Sequence, residues 1–337
     1  MAFFQCPKCK KVWQYNIEKC PDCFLKLERK KIKRVKVVDV AKVEIPSLFH
    51  QKTPYFILLL EDEEGNRWIE KSEKEYKIGE EIKKEIAKDK EAVAIFKVKY
   101  DFLEAIEKAI EVLGGIKIDQ NSKILILPTL EKASHPHFRD NTSPQFLEAT
   151  LQFLFEMGVK PENIKIASQS FDEIEIGTKA HKSKLLSICQ KYKVFPLNLA
   201  ESEFLKKEDL EISKEAFETD LILNLPILKI GKAQATKNIF LLLKKENFFA
   251  QKYLYSEKEI FEKLKNSLPS LFTLAEAYHI QDEKKFTRYF HLVFASFSPK
   301  NIDRVFFEIT KKEKLPKILE DIRIENIEVV GRKIEQI

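Results

Sequence analysis

The sequence predicts an α/β protein: a mostly parallel, helix-covered sheet, preceded by a zinc ribbon and a small OB-type β-barrel. Three observations predict it. Two Cys-x-x-C pairs open the chain. Short runs rich in β-branched and aromatic residues, broken by turn residues, then follow to about residue 100. From Asp101 onward the apolar period changes from two to about 3.6, and helical patterns alternate with short buried runs. The expected domains are a ribbon (1–28), a barrel (29–100) and an α/β domain (101–337).

A chain of 337 residues allows two or three domains, and 44% hydrophobic content is enough for real cores. There are 59 basic and 53 acidic residues, a net charge of +6, mixed along the whole length. That is a salted surface, not a polybasic tail, and it permits nucleic-acid binding without requiring it. No apolar run approaches the roughly 20 residues of a membrane-spanning helix. The opening MAFFQCPKCKK lacks the basic-then-apolar layout of a secretory signal. A cytoplasmic protein with no membrane partner is expected.

Each Cys-Pro-x-Cys turn lets two thiolates share one ion. Two such turns, joined by a hairpin carrying Trp13 and Tyr15, complete a tetrahedral shell. A closed shell leaves no position for substrate or water. Cys6, Cys9, Cys20 and Cys23 are therefore expected to hold a structural zinc, with a rubredoxin-like iron as the alternative. No iron–sulfur cluster is expected. Cys189 stands among Leu185, Leu186 and Ile188 in a helical pattern and is expected in the core.

Strand patterns follow at 35–43, 55–60 and 67–69, the last two joined by the turn Glu63-Glu64-Gly65-Asn66. Further strands are read at 78–86 and 92–97. Such a set suits a partly open OB-type barrel. A nucleic-acid reading would use Trp13, Tyr15, Tyr55, Phe56 and Trp68 as stacking surfaces. Half of any strand's side chains point inward, so most of these are expected in the core.

In the third domain Phe102, Ile106, Ala109, Ile110 and Leu113 line one helical face, which Gly114-Gly115 stops. Residues 123–127 read as a buried strand closed by Pro128. Ser143 as N-cap, with Pro144 first in the helix, starts the next element. A strand at 164–167, a helix at 181–192 and a strand at 194–199 follow. Leu221, Ile222, Leu223 and Leu225 make the next strand, and Pro226 ends it. A loop bearing Lys229, Gly231, Lys232 and Thr236 then leads to Lys237 and Asn238, which are read as opening a long helix. Helices are expected through 239–249 and 257–278, a strand at 289–295, a helix at 299–309 and a strand at 327–330.

Loops leaving the carboxyl ends of parallel strands meet along one edge. The first, 129–142, carries His135, His137 and Arg139. The second, 168–178, carries Ser168, Ser170, Asp172 and Glu173. The third is the basic loop, where a strand delivering lysines to a helix N-terminus suits an anion. His135 and His137 form a His-x-His pair suited to a metal if a third ligand joins them. Arg139 with Lys229 suits a carboxylate or phosphate.

Two resemblances follow from these motifs. The four-cysteine ribbon, with Ile45-Pro46-Ser47, Thr53-Pro54-Tyr55 and Tyr76-Lys77-Ile78-Gly79-Glu80, resembles the rubredoxin-like zinc ribbon/OB family known as domain of unknown function thirty-five. That resemblance implies an accessory role beside acyl-carrier or thiolase-type enzymes. Residues 123–337 resemble domain of unknown function three hundred and sixty-two. Pro226, Lys229, Lys237 and Asn238 match its motif, as do Asn301-Ile302-Asp303 and Glu328-Val329-Val330-Gly331. Gly231 stands at that family's histidine position, which implies a binding loop rather than a catalytic one.

The resulting expectation is a zinc-binding cytoplasmic accessory protein. It binds an anionic ligand of acyl-thioester or phosphorylated type, or a partner enzyme, through His135, His137, Arg139, Lys229, Lys237 and Asn238. Two alternatives stay open: an active enzyme with a His/Arg/Lys site on the α/β loop edge, and a ribbon/OB nucleic-acid-binding protein.

Overall fold

The first strand, β1 (Ala2–Gln5), pairs antiparallel with both β2 (Val12–Trp13) and β3 (Glu28–Lys31). A second antiparallel sheet has the order β4 (Val35–Val43), β5 (Tyr55–Asp62), β6 (Arg67–Ser72). The hairpin between β5 and β6 forms where its turn residues predict. The Asp62 carboxylate accepts the Glu64 and Asn66 backbone N–H groups, and Gly65 takes a positive φ of 83°. Phe3, Val37, Phe56, Leu58, Leu60 and Trp68 form one core, with Phe3 edge-on to Trp68 at 5.2 Å.

These strands come from a computed structural model, which describes residues 2–334 apart from 15–16, 33, 47–52, 83–85, 195, 283, 285 and 312–313. Tyr15 and Ser47 lie outside the described residues. The chain divides into two compact units, Met1–Glu85 and Ile86–Ile337. Among the described residues of the first unit no closed barrel forms. Its second sheet has three strands; of the strand expected at 78–86, residues 83–85 lie outside the described residues, while Gly79, Glu80 and Ile82 exchange backbone hydrogen bonds with Val35 and Val37 of β4 and Glu81 bridges to Lys36.

The second unit begins with the strand expected to finish the barrel. β7 (Val93–Lys97) belongs instead to the large sheet. Then come α1 (Phe102–Val112), β8 (Ile124–Pro128), α2 (Pro144–Glu156), β9 (Ile164–Ser168), α3 (Ile176–Lys182), α4 (Leu185–Tyr192) and β10 (Pro196–Asn198). A hairpin that the patterns did not reveal follows, β11 (Phe204–Lys207) and β12 (Leu210–Ser213). The chain continues through β13 (Leu221–Leu225), α5 (Gln234–Asn238), α6 (Lys245–Leu254) and α7 (Glu257–Ser267). It closes with β14 (Leu271–Gln281), β15 (Thr287–Ser296), α8 (Pro299–Ile309) and β16 (Val329–Gly331).

Eight strands pair in the order β10-β9-β8-β13-β14-β15-β7-β16, parallel except where β15 meets β14 and β7. Both faces are covered, which explains the unbroken apolar runs. On β8, Ile124 and Ile126 pack into one core and Leu125 and Leu127 into the other. On β13, Leu221, Leu223 and Leu225 face the first core and Ile222 the second. Each such side chain stabilises the fold by roughly 1.5–3 kcal/mol through burial. Cys189 is buried in the first core, as expected, and burial pushes its thiol up to about 11. Gly331 sits where a Cβ would lie 2.5 Å from the Ile95 carbonyl, so only glycine lets β16 approach β7 this closely.

Two helix readings are corrected. Residues 271–278 form most of β14, a strand parallel to β13. Leu, Ala and Glu favour helix locally, but a central strand buried on both faces gains more from packing than it loses in propensity. The helix expected to begin at Lys237 also differs, because those residues end the five-residue α5. A short 3-10 turn and α6 follow it. The dipole at Lys237 and Asn238 therefore presents its carbonyl end, which does not attract anions.

Two buried carboxyls fasten helices, one to this sheet and one to another helix. Glu276, on the misread strand, accepts from the backbone N–H and hydroxyl of Ser143 at the start of α2. Asp303, on α8, accepts from the Ala235 and Thr236 N–H groups and the Thr236 hydroxyl. Burial raises each to about 7, from ordinary values of 4.5 and 3.8, against the pull of those hydrogen bonds. The folded state thus binds these protons more tightly than the unfolded chain. The stability they carry is full below about pH 4 and is lost as pH rises through about 7. Urea unfolding of Glu276→Gln and Asp303→Asn should show a shallower loss of stability across that window than the parent protein. Parallel curves would contradict the assignment.

Candidate functional site

The two knuckles of the first unit share one geometry. The Cys6 carbonyl accepts from Lys10, and the Cys20 carbonyl accepts from Phe24. Lys10 and Phe24, each following the second cysteine of a pair, both adopt left-handed φ near 60°. All four thiols converge, with their sulfurs within 4.8 Å of one another and Cys9 Sγ 3.6 Å from Cys20 Sγ. A tetrahedral zinc at about 2.3 Å from each sulfur implies edges near 3.8 Å, so the donor set fits such an ion. Cys6 and Cys20 are buried and Cys9 and Cys23 half-buried, which suits a closed structural site. Metal analysis should return about one ion per chain, and chelation should unfold the first unit. Protein purified without chelator and lacking metal would overturn this.

In the second unit, three loops leave the carboxyl ends of β8, β9 and β13 and surround a cavity of about 610 Å³. Glu131 comes from the first loop, Gln169, Asp172 and Lys179 from the second loop and α3, and Lys232 and Lys237 from the third loop and α5. Lys252 and Glu257, on α6 and α7, complete the charged lining, and Phe171, Phe240 and Phe248 form an apolar wall. Phe171 and Phe248 stack 5.7 Å apart.

Each carboxylate in the lining is already committed. Asp172 meets Lys179 at 2.9 Å and accepts from the Ser170 hydroxyl and Ile174 N–H. Although burial opposes it, those donors draw Asp172 down to about 2. Glu257 sits between Lys237 at 2.8 Å and Lys252 at 2.9 Å, and against the effect of burial these two lysines hold its carboxyl below the usual carboxylate pKa. Glu131 accepts from Lys229 at 2.6 Å and from Gln234 at 2.7 Å. It too is held low against burial, chiefly by Lys229. Four lysines thus face three carboxylates, and Lys232 makes no ion pair among the described residues. Gln169 spends its Nε2 on the Leu241 and Leu243 carbonyls and leaves its buried Oε1 without a partner.

The expected site residues divide among three places. Lys237 lines the cavity. Lys229 stands behind it, mostly buried against Glu131. Asn238 touches the cavity, but its amide belongs to the scaffold: Oδ1 accepts from Thr129, and Nδ2 donates to the Leu127 carbonyl and Asn224 Oδ1. His135 and His137 are exposed, with His135 Nδ1 accepting the His137 N–H at 3.2 Å. Among the described residues the four cysteines alone have metal-ligand spacing, so no third ligand joins the histidines. Arg139 points away from the cavity lining, toward His279 on β14. Sequence reasoning missed Gln169, Lys179 and Lys252 as lining residues. The first of these adjoins the strand end Ser168, which was a usable signal; the others depend on helix packing.

Asn238→Ala should cost roughly 2–4 kcal/mol in chemical unfolding, because it strands three buried partners, two at the end of β8 and one on β13. A near-neutral result would return Asn238 to the ligand-binding set.

No protein-family model and no curated protein matches the chain. One solved structure it resembles is described as the Ltp2-ChsH2(DUF35) aldolase. The match has 18% identity over 30% of this chain and 76% of the other, with a TM-score of 0.21. A likeness this slight assigns neither fold nor function. No helix among the described residues is long and apolar enough to cross a membrane.

Proposed function

We propose that this chain is a cytoplasmic metal-binding accessory protein. Zinc is held by the cysteine cluster, and an anionic small molecule of acyl-thioester or phosphorylated type is held in the α/β cavity. The observation that carries the reading is the cavity's charge balance: four lysines line it against three carboxylates, and Lys232, whose charge reaches Glu131, makes no ion pair among the described residues. An entering anion meets the cation in excess, while the phenylalanine wall accepts an apolar portion of the ligand.

Binding is favoured over catalysis. Asp172, Glu131 and Glu257 are all held in the ionised state as counterions, so the cavity lacks a carboxyl poised near neutral pH for proton transfer. The two carboxyls raised to about 7, Glu276 and Asp303, do not line it. Nucleic-acid binding through the first unit has less support, since Tyr55, Phe56 and Trp68 are buried. That unit does expose Phe24, Ile45, Ile69 and Ile78. Apolar side chains of this kind suit contact with a partner enzyme or an acyl carrier.

Lys232→Ala with Lys237→Ala should weaken calorimetric binding of acetyl-coenzyme A about tenfold, the scale of one lost charge-assisted contact. The unfolding temperature should stay close to that of the parent. Equal affinity in the double variant would remove the cavity from consideration. A pull-down read by mass spectrometry, for both proteins and co-purified small molecules, would identify the partner.

A further inference from the structure

A second cluster lies outside the cavity, where the β14–β15 hairpin meets the loop after β8. Arg139 Nη2 stands 3.2 Å from His279 Nδ1. The His279 ring is 5.2 Å from that of His291 and 4.7 Å from that of Tyr289, and Tyr278 lies edge-on to His291 at 4.5 Å. A bulge builds this arrangement. Between the pairs Ala277–Leu292 and His279–Tyr289, one residue of β14 faces two of β15. His291 takes the left-handed conformation, at φ 55°, that glycine usually occupies in such a bulge. Arg139 is also left-handed, at φ 54°. The fold accepts two unfavourable backbone conformations in placing these side chains together.

The cluster is electrostatically uncompensated. Among the described residues the Arg139 side chain makes no salt bridge, and the hydrogen-bonding partner of its guanidinium is itself a basic ring. Lys97, paired opposite Leu292, adds positive charge felt by His291. Glu276 is the carboxyl whose field reaches Arg139, but it is buried and hydrogen-bonded to Ser143. Burial lowers both imidazoles below their ordinary 6.5. Arg139 and His291 push His279 lower still, and Lys97 does the same to His291. Arg139 approaches His279 through Nδ1, so a neutral His279 ring there carries its proton on Nε2 and keeps that N–H as a donor. A metal cation would meet the guanidinium's charge and find Nδ1 already taken. An oxyanion would meet N–H donors from several directions.

We propose that Arg139, His279 and His291 form a binding site for a phosphate group, with Tyr289 as a flanking ring. A tetrahedral oxyanion offers enough acceptors to engage the guanidinium fork and both imidazoles together. Tyr289 is 66% exposed, so a planar substituent on a phosphate ester has a surface to stack against.

The full chain should be titrated with inorganic phosphate and followed by histidine-ring NMR and calorimetry. Phosphate should shift the His279 and His291 resonances together and raise the pH at which both titrate. Arg139→Gln should weaken binding about tenfold or more. His291→Asn should do so as well, and asparagine tolerates the left-handed backbone if the arginine variant fails to fold. Calorimetry also reads phosphate bound in the cavity, so the histidine resonances decide: their phosphate-induced shifts should be lost in Arg139→Gln and should persist in Lys232→Ala with Lys237→Ala. Phenyl phosphate binding more tightly than inorganic phosphate, with the gain lost in Tyr289→Ala, identifies an ester; equal affinity identifies free phosphate. Unmoved histidine resonances, or undiminished affinity in Arg139→Gln and His291→Asn, would overturn the site.

Discussion

A closed circuit of buried hydrogen bonds at the carboxyl edge of the sheet sets everything above it. Asn224 lies inside β13 with no exposed surface, where an unpaired amide would cost several kcal/mol. Its Nδ2 donates to the Ala235 carbonyl and the Thr273 hydroxyl, and its Oδ1 accepts from Asn238. Asn238 in turn donates to the Leu127 carbonyl and accepts from Thr129. The Thr142 hydroxyl accepts the Thr129 N–H and donates to the Leu225 carbonyl. Every amide atom in the circuit is used. The ends of β8 and β13, the start of β14 and the helix α5 are thereby held in one arrangement, because any loosening leaves a buried polar group unpaired.

The loops rooted in that circuit are what the cavity is made of, and their chemistry differs from that of the circuit. Below are neutral amides and hydroxyls with complete pairing. Above are lysines and carboxylates in ion pairs open to water, with one positive charge in excess. The first arrangement buys rigidity. The second leaves electrostatic attraction for something not in the chain. This division separates Asn238, which shapes the floor, from Lys232 and Lys237, which face the space. It also locates Arg139 elsewhere: its loop leaves the same edge but turns toward the β14–β15 hairpin.

Much of the fold was legible because local pattern and final environment agree. β8 is a continuous apolar run closed by Pro128, and β9 and β13 are apolar apart from Lys165 and Asn224 and the Ser168 that ends β9. Ser143 caps α2 through its side chain, and the four cysteines converge as their spacing requires. The misreadings have physical causes. Residues 271–278 carry good helix formers, yet a slot between β13 and β15 buries both faces of an extended chain. The segment 93–97 looks like any short strand, and its alternation does not record which sheet it joins. Lys237 and Asn238 stood at the right place but at the opposite end of a helix, because the turn of α5 is fixed by Asp303 from a distant segment.

The sequence by itself determined the convergence of the four cysteines, the apolar strands that both cores bury, and much of the alternation of helix and strand. Each is encoded within a window of a few tens of residues. Only the tertiary structure decided the strand order, the commitment of Asn238 to the scaffold, and the meeting of Arg139 with His279. Thr129 and Asn238 are 109 residues apart, and Arg139 and His279 are 140 apart. Contacts at that range are selected by the pairing of the whole sheet and by the need to satisfy buried polar groups, neither of which leaves a trace in local periodicity.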